Sequence, residues 1–364
     1  MSDQVTLIRD PAAFAALAAD WDACLATMPG AQPFLTHAWL SAWYAELGSA
    51  AQLRVFVLRR GGILQAAAPL CLRRGRYYGL PVRELVWLGD RTSDRMQFLA
   101  RGEDPALVRD LWPHVAAHDE GQHLLRLEEV PADSATAVAV PAAGRLVARE
   151  PSSHLPRVAV GDWDAFEATL ARKFKAELRT RTKLFADWGA WRLETDVGPA
   201  AAEQLARMAE LETLSAKGTG GYAFLAQPAN RRFLGRVLRE PGPVLPVLLR
   251  LEVGDLLVAY LLCLAHGDAL SAYNMAYRPG YEKGSPGKWL LHQAMFWANA
   301  RGLAVFDFLR GAHDLKARWH PDERTNCRLA VFRAGVVGTL LHVAVFRARP
   351  RLKRWLSPRR ARPR

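Results

Sequence analysis

The sequence predicts an α/β protein with α+β character, built from two similar lobes, each a mixed β-sheet flanked by helices. Three observations carry this expectation. A glycine-centred hairpin pattern occurs twice, the same order of strand, helix and strand follows each copy, and a long helical stretch precedes each.

Residues 12–47 place apolar side chains at helical spacing. LRVFVLRR (53–60) and ILQAAAPLCLR (63–73) then flank Gly61-Gly62, two apolar strands around a pair of residues suited to a tight hairpin turn. A strand at 85–88, a helix over 105–118 and a strand at 123–128 complete the first lobe. Helical spacing returns over 163–217. PVLLRLE (246–252), a turn at Gly254-Asp255 and LLVAYLLCLA (256–265) form the second hairpin, followed by a strand at 270–277, a helix over 286–301 and a strand at 304–309. A hairpin followed by strand, helix and strand sets an antiparallel pair beside a parallel crossover in one sheet. Residues 130–160, rich in Ala and Pro, read as a linker or cover. The lobes are therefore expected at 1–150 and 151–335, with the boundary near Glu150, and an apolar segment with a basic tail at 336–364.

A chain of 364 residues holds two domains at the usual ~100–200 residues each. Half its residues are hydrophobic and 23% charged, which excludes a disordered chain. Cys24, Cys71, Cys263 and Cys327 are too scattered for a disulfide framework or a CxxC site, and read as buried thiols in a reducing compartment. MSDQVTLIRDPAAF lacks the basic-then-apolar order of an export signal, so a cytoplasmic location is expected. The apolar run at 336–346 is interrupted by His342 and is shorter than the ~18–20 residues that cross a bilayer. Of the net charge of +13, residues 347–364 carry nine Arg and Lys and no acid, leaving +4 for the rest. That tail suggests peripheral contact with an anionic membrane and makes nucleic acid a weak expectation for the body.

Four stretches bring a family into view: PFLTHAWLSAWYAELG (33–48), RKFKAELRTRTKL (172–184), RPGYEKGSPGKWLL (278–291) and FDFLRGAHDLKARW (306–319). In this order they resemble CelD-like acetyltransferases, associated with bacterial polysaccharide synthesis and related to the two-lobed Fem aminoacyltransferases. The resemblance covers about residues 30–333. It implies GNAT-like lobes and transfer of an acyl group from acyl-CoA such as acetyl-CoA to an amine or hydroxyl; the first lobe has no glycine loop comparable to 278–288 before Pro105 and is expected to be non-catalytic. The resemblance does not name the acceptor; a small molecule, an amino sugar or a polysaccharide precursor is expected. GAHDLKARW departs from the family pattern, with His313 and Leu315 where an acid and Tyr are more usual. Two rivals stand beside this reading: Fem-like transfer from aminoacyl-tRNA, and a non-enzymatic protein that binds nucleic acid or membrane.

The loop 278–288 is the most informative motif. Gly280, Gly284 and Gly287 permit close backbone approach, Pro286 suits a first helical turn, and the helix N-terminus offers free N–H groups and partial positive charge. Gly284, Ser285, Gly287 and Lys288 are thus the candidate pyrophosphate seat, in a loop expected to be exposed; the alternative is a flexible surface connection. In the implied fold the preceding strand SAYNMAY (271–277) holds the thioester arm through its backbone, with Asn274 and Met275 as contacts and a splay from VFDFLRG. Tyr273 and Asn274 either face the acceptor or alternate between core and solvent.

Acyl transfer to an amine needs a proton acceptor. Asp307, flanked by Phe306 and Phe308, is the first candidate if apolar surroundings raise its pKa, and His313 and Asp314 follow. The alternative pairs Asp307 with Arg310 or has it cap a neighbouring turn. His114 and His118 lie at i, i+4 near His123, but no HExxH accompanies them and Pro113 breaks the helical pattern, so no metal is expected. Residues 172–183 carry six basic side chains on more than one helical face. Lys175 and Arg179, one turn apart, are the candidate contacts to an anionic substrate, the others a solvated face.

Overall fold

The computed structural model describes residues 3–30, 32–140, 146–311 and 316–348. The first half runs β1 (Asp3–Ile8), α1 (Pro11–Ala15), α2 (Ala18–Leu25), α3 (His37–Leu47), β2 (Gln52–Arg60), β3 (Ile63–Tyr77), β4 (Leu80–Trp87), β5 (Leu99–Ala100), α4 (Pro105–Ala117), β6 (Leu124–Pro131), α5 (Ala135–Ala139) and β7 (Val147–Ala159). The second runs α6 (Trp163–Thr169), α7 (Arg172–Asp187), β8 (Trp191–Val197), α8 (Leu205–Leu214), α9 (Ala216–Thr219), α10 (Pro228–Arg239), β9 (Leu245–Val253), β10 (Leu256–His266), β11 (Ala269–Tyr277), α11 (Pro286–Ala300), β12 (Val305–Asp307), β13 (Asp322–Phe332) and α12 (Val336–Val343).

Both expected hairpins form. Arg60 pairs with Ile63 across Gly61 and Gly62, whose φ angles of 56° and 81° suit a tight two-residue turn. Val253 pairs with Leu256 across Gly254, at φ 56°, and Asp255. Helix ends follow local chemistry as well: the Asp104 side chain accepts from Ala106 N with Pro105 behind it, and Thr36 accepts from Trp39 N.

The described residues form one 13-stranded mixed sheet in the order β1-β2-β3-β4-β6-β13-β7-β12-β11-β10-β9-β8, with β5 paired to β3 off this path. Each half contributes an antiparallel meander whose last strand pairs in parallel with the strand after a crossover helix, β4 with β6 across α4 and β11 with β12 across α11. At the centre the last strands are exchanged. β7 pairs with β12 of the second half, β13 pairs with β6 of the first, and β7 and β13 pair with each other. Residue 150 therefore lies inside a central strand.

Three expectations need correction. The supposed linker 130–160 contains β7; residues 191–197, read as helical, form β8; and α4 continues through Pro113. Around the second half, α6, α7 and α11 cover one face of the sheet, packed on Leu249, Leu261 and Phe306. On the other face α3, α8 and α10 cover Leu248, Tyr260 and Leu262. Four buried free cysteines match the expected buried thiols. Among the described residues no helix is long and apolar enough to cross a membrane.

Candidate active site

The site begins where two parallel strands part. β11 and β12 pair only at Ala269↔Val305, Leu270↔Phe306 and Ser271↔Asp307, after which β12 ends and β11 continues to Tyr277. Leu309 at φ 53° and Gly311 at φ 130° turn the departing chain. On the opposite edge of β11 the register to β10 passes from Leu262↔Asn274 to Cys263↔Ala272, leaving Tyr273 as a bulge. Bulges re-aim side chains and end pairing, and they gather beside active sites. Beyond Ser271, then, β11 has no described strand on its β12 side.

A segment of the first half fills the near side of this gap. Tyr273 donates to the Thr92 carbonyl at 3.2 Å and meets the Trp39 ring edge-on at 5.3 Å. Burial, reinforced by Asp94, pushes its phenol well above the ordinary tyrosine range, so it is a neutral donor. Asn274 is buried and accepts from Lys217 Nζ at 3.0 Å and Tyr260 OH at 3.1 Å.

Asp307 is not in the surroundings expected of it. Phe306 and Phe308 point to the α6–α7–α11 face, while the carboxylate pairs with Arg95 and accepts from Leu309 N at 2.8 Å. Its partner thus comes from the first half, and both oxygens are engaged. Arg310 instead bridges Asp94, at 2.5 Å, and Glu129, at 3.2 Å. Burial raises the Asp94 pKa against the opposing pull of Arg310. Glu129 also accepts from Ser152 at 2.7 Å and Asn326 at 2.9 Å. Lys316 donates to the carbonyls of Phe308 and Leu309 at 3.1 and 2.7 Å, and burial pushes its ammonium down to about 8. None of Asp94, Arg95, Glu129, Lys316 and Asn326 stood out in the sequence. One signal was present: the polar run Asp90-Arg91-Thr92-Ser93-Asp94-Arg95 between two apolar stretches.

Beside this network runs a groove of about 680 Å³ between the halves, with Asp307 in its wall. Three arginines and five carboxylates line it, so it is net acidic within a basic protein. Burial, then Asp133, raises the Glu103 pKa; burial, then Arg324 and Arg95, lowers that of Arg157. Gln97 Oε1 and Asn326 Oδ1 in the same wall are buried without a donor among the described residues. Asn326 Nδ2 faces Asp94 O, Glu129 Oε2 and Ser153 Oγ, an arrangement that fixes the amide with its oxygen as the free acceptor.

The glycine loop differs from expectation. Gly284 is buried, and a Cβ there would lie 2.1 Å from Trp188 Cη2; one at Gly287 would lie 3.0 Å from Met275 Sδ. These glycines let α7 and β11 pack against the loop, so larger side chains would disturb the fold rather than only block a ligand. Ser285 is left-handed, at φ 46°, and no side chain caps the N-terminus of α11. Lys288 is not a free cation: its Nζ bonds Glu177 at 2.9 Å, where Arg181 and Arg318 also bond at 2.7 and 2.9 Å. Burial would raise the Glu177 pKa, but hydrogen bonds from Lys288, Arg181 and Arg318 bring it down to about 2.

Lys175 and Arg179 do meet, lining a pocket of about 360 Å³ with Trp289 and His292, although Lys175 Nζ is also bonded to the Glu167 carbonyl at 3.1 Å. His313 and Asp314 lie outside the described residues. His118 lies 3.3 Å from Glu120, and His123 Nδ1 accepts from Arg83 N at 3.3 Å. Among the described residues no group of three or more His, Cys, Asp or Glu is placed to hold a metal.

No curated protein matches the chain by sequence. Among solved structures, FemX superposes with a TM-score of 0.66 at 12% identity, covering 95% of this chain and 100% of its own. L-PGS from Bacillus licheniformis gives 0.55 at 12% identity, covering 92% and 96%. The C-terminal domain of a putative lysylphosphatidylglycerol synthetase from Agrobacterium fabrum gives 0.53 at 13%, covering 91% and 96%. At such identities the likeness is one of fold. Residues 172–317 match the family described as the acetyltransferase (GNAT) domain, and they contain α7, the parted strands β11 and β12, and the loop into α11. Residues 172–317 are thus similar to a GNAT acetyltransferase domain.

Proposed function

We propose that the protein transfers an acyl group from acyl-CoA to the amine or hydroxyl of a small polar acceptor, with an amino sugar or polysaccharide precursor as the acceptor class. The observation that carries this reading is the gap that opens between β11 and β12 at the Tyr273 bulge. Strand backbone without a described partner strand on one side and the uncapped start of α11 suit a thioester arm that ends in a pyrophosphate. The cations Lys288, Arg181 and Arg318 exceed their single carboxylate Glu177 and add a positive field nearby. The groove suits the acceptor: its acidic balance attracts an ammonium.

In the reaction the acceptor nitrogen or oxygen bonds the acyl carbon, the carbon–sulfur bond breaks, and the acceptor proton ends on the released thiol. The residues named supply orientation and fixed dipoles, the larger part of rate enhancement in such sites. Calorimetry with CoA and acetyl-CoA tests the donor, and mass spectrometry of labelled acetyl transfer to a panel of amino sugars tests the acceptor. Micromolar binding of acetyl-CoA and a labelled amide or ester are expected. Absence of CoA binding by folded protein would turn the reading to another donor, aminoacyl-tRNA first.

A further inference from the structure

We propose that α12 is a docking helix that lays its outer face on an anionic lipid surface. The helix is fixed from one side: Leu341 and Val345 are buried in a small cluster with Tyr77 and Phe332, and the Phe346 ring lies 6.3 Å from Tyr78. At 100° per residue, Val336, Val337, Leu340 and Val343 fall together on an arc of roughly 120° facing away from that cluster. They are 74, 55, 62 and 36% exposed. The outward face of a surface helix is ordinarily polar; this one is aliphatic. Leu146, whose carbonyl accepts from Phe332 N at 2.9 Å, is 42% exposed at the same end of the sheet.

The chain that follows names the occupant. Residues 347–364 carry nine Arg and Lys, no acid, and Leu352, Trp355 and Leu356 among them. An apolar helix face and a polybasic run are the two signals whose combination gives stable attachment where either alone is marginal. A protein partner would also accept the apolar arc, but an unbroken run of one charge sign fits an extended anionic surface better than a patch of mixed side chains.

Flotation of the full chain with vesicles tests this without recourse to acyl transfer, so its failure and that of the catalytic reading are separable. With vesicles of phosphatidylcholine containing about one-third phosphatidylglycerol, the protein should float; with phosphatidylcholine alone it should not. The double variant Val337→Glu, Leu340→Glu and a chain ending at Phe346 should each lose at least about tenfold in partitioning, with melting temperature unchanged. Flotation of the double variant equal to that of the parent, or no flotation of the parent, would overturn the proposal. So would a sedimentation experiment in which the parent is a dimer and the double variant a monomer, because the arc would then be covered by a second copy.

Discussion

Asp307 shows how a single side chain changes meaning with its neighbours. In sequence its flanking phenylalanines suggest a desolvated base, whereas in the fold those rings lie on the other face and Arg95 reaches the carboxylate from 212 positions away in the chain. Removing one partner of a buried pair leaves the other charge uncompensated, at about 3 kcal/mol or more. Asp307→Asn should therefore lose about that much stability in urea unfolding, and Arg95→Met a similar amount. An Asp307→Asn protein of full stability and abolished turnover would instead return Asp307 to the role of base. Lys316 gives a pH signature. Its folded pKa of about 8 lies below the 10.5 of the unfolded chain, so between those values the unfolded state binds the extra proton and stability rises with pH. Relative to Lys316→Met, the parent should gain about 3 kcal/mol from pH 8 to 10.5. Parallel stability curves for the two proteins would contradict this.

At the scale of elements, the hairpins were legible because their determinants are local. Gly61-Gly62 and Gly254-Asp255 turn where the sequence says, and Thr36 and Asp104 cap the helices that follow them. β7 was not legible. Its Arg149, Glu150, Ser152, Ser153 and Arg157 break any apolar alternation because the strand sits in mid-sheet against a polar network, with Ser152 and Ser153 bonded to Glu129. The loop into α11 was half legible: the glycines marked it, but their reason is packing. Gly284→Ala should be far more destabilising than Gly287→Ala. Its Cβ would meet the Trp188 ring, hemmed in by Phe185 and Tyr281, whereas the Met275 thioether can swing aside. Thermal melts of the two variants check this, and equal losses would contradict it.

Across the whole molecule, the exchange of β7 and β13 decides how the halves behave. Each half's sheet is completed by a strand from the far side of the boundary, so neither can unfold without exposing the other's edge. Urea unfolding followed by tryptophan fluorescence and by circular dichroism should give one coincident transition, and two separated transitions would show that the halves are independent. The sequence by itself determined the repeat, the hairpin turns and the starts of the two crossover helices at Pro105 and Pro286, since each depends on residues within a few positions of one another. It also marked the segment that meets the family of acyl-transferring domains. Only the tertiary structure decided which carboxylate meets which guanidinium, where the groove opens and which strand completes which sheet. Those pairings join residues as many as 216 positions apart, as between Arg310 and Asp94, and long-range register is set by packing of the assembled sheet rather than by local preference.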